Sequence, residues 1–438
     1  MSFIADKQTL DDLNLLGRYK PHSIFSLFNK VRTPGGERVL EEMFRHPMTD
    51  PTAINARSNI FRYFQDKKLL FPFNSESLPH TEHYLSMPIP GNYLAAMASL
   101  VRKKLLGLFL RDEQYQAICT GLQATIATLG QLKTLLNQLT TDPDSPVNEQ
   151  VQALQQVFAD SRLQRFAGER NIAALSLLQV VKYDHLLRHT LRQSMEMVLE
   201  HIYQLDVYIA VSKVAREKDF SYAIALPADK HLMRSTALQH PALDKAVANP
   251  VFLGRDNNVL FLTGANMAGK STFMKAVGIA LYLAHMGFPV AAREMFFSVR
   301  DGLYSSINVA DSLSMGYSHF YAEVLRVKKA AEEVSRGRNM MVIFDELFKG
   351  TNVKDAYDAT LSVTAAFSRY RNCSFIISTH IIEVGEALKA YPNLQFSFMP
   401  TIMEGHVPRY PYTLTEGITN DRHGMMIIKN EGILELMP

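Results

Sequence analysis

Cysteine is nearly absent: Cys119 and Cys373 are the two in 438 residues. Their separation excludes a disulfide framework and a cysteine-built metal site, and predicts two reduced thiols. Long apolar runs are also missing, and none reaches the roughly 20 residues that span a bilayer. The opening MSFIADKQTL lacks the charged, apolar and small-residue succession of a signal peptide. A cytoplasmic location with no membrane partner is the expectation. An excess of one charge is lacking too: 46 Lys and Arg face 43 Asp and Glu, a net +3. Composition by itself therefore gives no argument for a polyanionic partner, and nucleic acid would have to be met by local basic clusters. Helix breakers are the last absence. From about Asn171 to Arg216 neither proline nor glycine occurs. That predicts one helix of about 65–70 Å at 1.5 Å per residue, the length of a lever or coiled-coil arm.

The composition that is present, 47% hydrophobic and 20% charged, is that of a globular chain, with length for two or three domains. Apolar residues recur at helical spacing through Leu10–Leu15, Ile24–Phe28 and Val39–Phe44, with breaks at Pro34 and Pro47. The stretch from Phe71 to Gly91 holds four prolines, Pro72, Pro79, Pro88 and Pro90, and reads as a loop. Helical patterning resumes near Tyr93 and from Asp112 to Leu139, and TDPDSPVNE (Thr141 to Glu149) reads as a capping turn. Near Phe220 the texture changes. The apolar runs VLFL, MMVIF and SFIIST then alternate with helical segments, the pattern of a parallel sheet flanked by helices. No repeat of solenoid period is present. The predicted fold is α + α/β: a helical lever domain over residues 1–218, then a phosphate-loop ATPase domain with a mainly parallel sheet over residues 219–438.

The most informative stretch is VLFLTGANMAGKSTFMKAVGIAL, Val259 to Leu281. An apolar run meets Gly264, four residues, then Gly269, Lys270 and Ser271, which fits the pattern G-x-x-x-x-G-K-[ST]. Two glycines let the backbone wrap around phosphate oxygens, so that successive N–H groups point inward. Gly264, Ala265, Asn266, Met267, Ala268, Gly269, Lys270, Ser271 and Thr272 are the candidate nucleotide-binding residues. The helix that opens near Lys270 adds its N-terminal dipole, and Lys270 adds a full charge toward the terminal phosphates. Ser271 would present its hydroxyl to Mg²⁺. Such a loop needs a carboxylate on the metal side and a group that positions water. The run Met340 to Phe344 ends in Asp345 and Glu346, and adjacent acids at a buried strand end have no easy structural explanation. Asp345 fits the metal role and Glu346 the water-orienting one. The run Ser374 to Ser378 leads to Thr379 and His380, and a histidine there can sense the γ-phosphate. The catalytic candidates are thus Glu346, His380 and Lys270, with ATP and Mg²⁺ as the implied ligands. Between the loop and the acids lies DSLSMGYSHFYAEV, Asp311 to Val324. Its chemistry is open between an ordinary loop and one that offers a hydroxyl and a helix N-terminus to a partner's nucleotide.

This combination closely resembles the MutS family of DNA mismatch-repair ATPases. TGANMAGKSTFM is similar to the family's TGPNMGGKST block, with Ala265 in place of Pro and Ala268 in place of Gly. DELFKGTNVKDA resembles DEIGRGTSTYDG, and the resemblance puts Thr351, Asn352 and Asp355 in a loop facing a partner subunit. STHIIEV resembles ATHYFEL and gives His380 the family's switch position. LSMGYSHFYAE resembles LASGRSTFMVE, so that Ser318 would act in trans across a homodimer with composite ATP sites. In the helical half, Leu27 to Phe64 resembles the start of the family's core domain, and Gln204 to Tyr222 the return of the lever into the ATPase domain.

Departures from the family are equally specific. The core-like pattern begins within the first thirty residues, leaving no expected place for a mismatch-reading wedge domain or a connector, and the helical half is short for a full DNA clamp. After HGMMIIKNEGILELMP neither the family's dimerising helix-turn-helix nor a nuclease domain is expected. In AVANP, Ala246 stands where the family stacks a phenylalanine on adenine, while Tyr412 takes a position that often holds histidine. Loss of one aromatic face costs on the order of 1 kcal/mol. The leading expectation is a dimeric ATPase whose levers engage DNA, branched or unusual structures rather than single mismatches. The alternative is an ATP-gated module that binds a protein. Basic clusters such as Arg102-Lys103-Lys104, or Arg162 with Arg165 and Arg170, suit either phosphate or solvent. A third reading, an ABC-type ATPase of the chromosome-maintenance kind, is opposed by the lack of long coiled-coil arms on both sides of the ATPase.

Overall fold

The strand Val259–Gly264 is buried at every position, as expected of an apolar run covered on both faces of a parallel sheet. In the computed structural model it lies inside a six-stranded sheet. The order is Thr415–Glu416, Leu394–Met399, Val259–Gly264, Ser374–Ser378, Met340–Phe344 and Gly302–Ser306. Four of the neighbouring pairs are parallel, and only Thr415–Glu416 runs antiparallel to its neighbour. Helices Lys270–His285, His319–Ser335, Val353–Ser368 and Ile382–Leu388 alternate with the parallel strands along the chain. Their apolar side chains close a core around Phe261, Phe344, Phe367, Phe375 and Val384. A second, four-stranded sheet joins Ile224–Leu226, Glu294–Ser298, Met233–Leu238 and Asn249–Leu253. The architecture is mixed helix and sheet. The structure describes residues 2–17, 22–74, 76–88, 91–110, 113–139, 145–164, 175–307, 319–404, 407–419 and 436. None of the described helices is long and apolar enough to cross a membrane.

Contacts divide the chain into two compact units. One comprises Met1–Phe28, Met43–Ser58 and Val214–Pro438, the other Asn29–Glu42 and Asn59–Lys213. The first residues thus group with the sheet although their sequence pattern is helical. Ile4 forms a parallel bridge with Gly302 at the sheet edge. Beyond it the helix Lys7–Asp12 delivers Asp12, whose Oδ2 accepts from Ser305 Oγ at 2.8 Å and Ile307 N at 2.9 Å. Asp6 accepts from the Arg326 guanidinium, which holds its carboxyl far below the usual carboxylate range against the opposing effect of burial.

The second unit is helical, and the structure corrects two expectations there. The proline-rich stretch read as a loop contains the helix Ser77–Ser86. Pro79 sits in its first turn, where the missing N–H costs nothing. Gly121 lets this helix approach Gln114–Leu139 closely, since a Cβ there would lie 2.3 Å from the Cβ of Tyr84. The long uninterrupted stretch is not one regular helix. Leu177–His185 is α-helical, Leu186–Thr190 is a π turn, and Arg192–Glu217 is α-helical again. The i→i+5 bond from Leu191 N to Leu186 O, 2.8 Å long, marks the wider turn. Arg188 within it pairs with buried Asp184 at 2.6 Å and lies 4.9 Å from the ring centroid of Tyr84. Residues 171–174 of that stretch lie outside the described residues.

One buried carboxylate organises the start of helix Pro34–Arg45. Asp206 is 1% exposed and accepts from Arg32 N, Thr33 N and Thr33 Oγ1 at 2.8–3.0 Å. Gly35 and Gly36 permit that approach: a Cβ would meet the Tyr203 ring at 2.3 Å and Asp206 Oδ2 at 2.6 Å respectively. Burial pushes the Asp206 carboxyl up while these donors pull it down. Replacing Asp206 with Ala orphans three donors, two of them buried, and is expected to destabilise the chain by about 3 kcal/mol. Urea unfolding of the variant tests this, and an unchanged midpoint would contradict it.

Candidate functional site

Strand Val259–Gly264 ends in a loop that turns straight into helix Lys270–His285. Gly264 and Gly269 have φ of +136° and +104°, values that disfavour any residue with a Cβ. Close packing adds a second reason, because a Cβ on Gly264 would lie 2.8 Å from Met399 O and one on Gly269 would lie 3.0 Å from the Tyr412 ring. Lys270 is 4% exposed. Its Nζ donates to Gly264 O at 2.7 Å and Ala265 O at 3.0 Å, so the ammonium is held inside the loop. Burial pulls its pKa down, while Asp345 and Glu346 oppose that shift.

The acids come from the strand Met340–Phe344, two places along the sheet, with Ser374–Ser378 between them. Parallel register brings the three C-terminal ends together. Ser271 Oγ donates to Asp345 Oδ2. Ser378 Oγ donates to Asp345 Oδ1 at 2.5 Å and accepts from Glu346 N at 3.0 Å. Glu346 Oε1 lies 2.5 Å from His380 Nε2, with Lys349 Nζ 3.6 Å from the other oxygen. The His380 contact, helped by Lys349 and Lys270 and opposed by burial, lowers the Glu346 carboxyl to about 2. Glu346 itself has φ of +56°, a left-handed turn that redirects the chain just past the strand.

A cavity of about 400 Å³ opens over the loop. Of the residues singled out from sequence, Ala265, Asn266, Met267, Gly269, Lys270, Ser271, Thr272, Glu346, Tyr412 and Ala246 line it. Gly264 takes part through its carbonyl, and Asp345 through Ser271. Ala268 is 1% exposed and packs beneath the loop, while His380 reaches the wall only through Glu346. Asn352 caps helix Val353–Ser368, its Oδ1 accepting from Asp355 N at 2.9 Å. Ser318, Arg165 and Arg170 lie outside the described residues. Tyr412 is held from afar: Asn249 Nδ2 donates to its carbonyl at 2.9 Å, and Asn249 Oδ1 accepts from Leu414 N at 2.6 Å.

Sequence reasoning missed Ser378, the hydroxyl that joins the two acids, although a polar residue ending an apolar strand was visible two places before His380. It also missed the wall formed by Gln239, His240, Leu243, Lys245 and Val247, for which no local pattern gave a signal. Leu243 and Val247 are 51% and 38% exposed. They supply the apolar surface that Ala246 alone does not.

Fold and site together define a mixed helix-and-sheet protein in which a glycine loop turns into a helix beside an acidic pair. Two family models match it: MutS domain III over residues 8–212 and MutS domain V over residues 260–436. Among curated relatives, the DNA mismatch repair protein MutS of Pseudothermotoga lettingae is 26% identical over 238 residues, 53% of this chain and 29% of that protein. The protein of the same name from Petrotoga mobilis is 24% identical over 258 residues, 57% of this chain and 31% of that protein. The one from Geobacillus kaustophilus is 26% identical over 201 residues, 44% of this chain and 22% of that protein. The chain belongs to the MutS family and corresponds to part of the full-length protein.

The lowered Glu346 pKa has a consequence for stability. A carboxyl at about 2 in the fold against 4.5 ordinarily contributes stability that is complete above about pH 4.5 and fades as pH falls toward 2. The difference in Tm between the wild type and Glu346→Gln is therefore expected to narrow on acidification through that window. A gap that stays constant would contradict the pairing.

Proposed function

We propose that the chain is an ATPase whose sheet-bearing half is an ABC-type phosphate-loop domain, and that ATP binding and hydrolysis drive DNA engagement by the helical levers. The observation that carries the reading is the connected set Ser271, Asp345, Ser378, Glu346 and His380, which joins the glycine loop to the acids across three adjacent strands. The oxygen donors Ser271 Oγ and Asp345 suit Mg²⁺, a hard cation that takes its other ligands from phosphate and water. When bound, the metal would neutralise charge on the phosphates. Lys270 and the loop N–H groups, backed by the helix N-terminus, bind the phosphate oxygens. Glu346, left ionised by its pairing with His380, orients the attacking water by accepting a hydrogen bond from it. His380 reports the γ-phosphate back through that same contact.

Residues 1–218 would form the lever domain and 219–438 the ATPase domain, with Ser318 acting across a homodimer. DNA as the ligand follows from family membership and from the relatives' printed function. Branched or unusual structures, rather than single mismatches, are the proposed class. A cytoplasmic site of action completes the proposal.

Replacing Glu346 with Gln is expected to lower ATP turnover about 100-fold or more while ATP affinity stays within a few-fold. Equal losses in both would assign Glu346 to binding instead. DNA affinity is expected to fall roughly tenfold or more between about 50 and 200 mM salt, and to respond to ATP. Turnover without DNA binding at low salt would leave a protein as the partner.

A further inference from the structure

Residues 410–414 lie in neither helix nor strand, yet Tyr412 among them keeps a left-handed backbone with φ of +58°. A bulky side chain adopts that conformation only where its surroundings impose it. The fixed partner here is Asn249, which is 4% exposed. It opens strand Asn249–Leu253, where it pairs with Leu238 of the neighbouring strand. Its amide donates to Tyr412 O at 2.9 Å and to Val247 O at 3.3 Å, and its Oδ1 accepts from Leu414 N at 2.6 Å. One side chain thus takes the carbonyl before Thr413 and the N–H after it, as a paired strand would.

The ring that this clasp holds rests on the glycine loop. A Cβ on Gly269 would lie 3.0 Å from Tyr412 Cδ1, and Tyr412 lines the cavity together with Gly269, Lys270 and Ser271. Met399 packs on the loop from the other end of the same segment, 2.8 Å from its carbonyl to a Cβ on Gly264. Strand pairing in register with Gly264 secures Met399. Tyr412 lies outside any strand, and the Asn249 amide stands in for the missing ladder. We infer that Asn249 is a positioning residue for the nucleotide, acting through Tyr412. Without the clasp the left-handed turn relaxes, the ring leaves Gly269, and one wall of the cavity has to be ordered again each time a ligand binds. The inference deepens the nucleotide reading above and rests on it.

The test is a double-mutant cycle on the full chain with Asn249→Asp, Tyr412→Ala and the pair combined. Asn249→Asp keeps the acceptor for Leu414 N and removes the donor to Tyr412 O. Asn249→Ser, which breaks the clasp without adding charge, replaces it if urea unfolding shows the first variant unfolded. Calorimetric titration uses β,γ-imido-ATP with Mg²⁺, and steady-state turnover of ATP gives KM and kcat. Each single variant is expected to weaken Kd about fivefold or more, the worth of one aromatic contact. KM should rise by the same factor, with kcat moving less. The double variant should bind no more weakly than Tyr412→Ala alone, since the clasp has nothing left to hold. A folded Asn249 variant whose Kd stays within about twofold of wild type overturns the inference, as do losses that multiply in the double variant. A folded wild-type chain that binds no nucleotide overturns the nucleotide reading itself.

Discussion

Asp345 stands where three parallel strands deliver their C-terminal ends, and each of its carboxylate oxygens accepts from a serine on a different neighbour. Ser271 belongs to the helix that leaves the glycine loop, and Ser378 closes the strand between. The arrangement fixes the loop, the acids and the histidine as one body. Charge-assisted hydrogen bonds of this kind are about twice as strong as neutral ones, so the carboxylate sets the spacing of the groups around it. Ser378 extends the constraint to the backbone of Glu346. That backbone turns through a left-handed conformation and brings the side chain to His380. Any chemistry at the cavity depends on that spacing.

A related device, a carboxylate satisfied by donors from neighbouring segments, recurs in the helical unit. Asp206 holds the start of helix Pro34–Arg45, and the two glycines beside it exist because ring and carboxylate occupy the space a Cβ would need. Asp12 does it again at the sheet edge, where it accepts from Ser305 Oγ and Ile307 N at the end of strand Gly302–Ser306. In each case a charge is kept buried by donors that the local backbone would otherwise leave without partners, which is the condition under which burial of an acid is tolerated.

The rest of the cavity wall follows a different rule. It comes from residues 238–249 and from Tyr412, brought together by Asn249 across 163 positions of sequence. Leu243 and Val247 add apolar surface beside Ala246 on the same segment. The glycine loop is one contiguous stretch of sequence, whereas this wall exists only once the chain is folded.

Much of the site was legible in the linear order of residues. Gly264 to Ser271 is a contiguous pattern, and close contact with phosphate demands those residue types at that spacing. The apolar runs ending in Asp345-Glu346 and in Thr379-His380 announced strands with polar ends, and the alternation beyond Phe220 announced the sheet. Strand order was not legible, because which strands lie side by side is set by long-range packing, and so Ser378 went unseen. The helix Ser77–Ser86 was hidden because proline is tolerated in a first turn, and the π turn at Leu186–Thr190 because it needs no breaker. The grouping of residues 2–17 with the sheet depends on the bridge from Ile4 to Gly302, nearly three hundred residues away. By itself the sequence determined the loop, its lysine, its hydroxyl and the acidic pair, since these answer to local geometry. The tertiary structure alone decided which hydroxyl joins the acids and which distant residues line the rest of the cavity, since these answer to packing between distant segments.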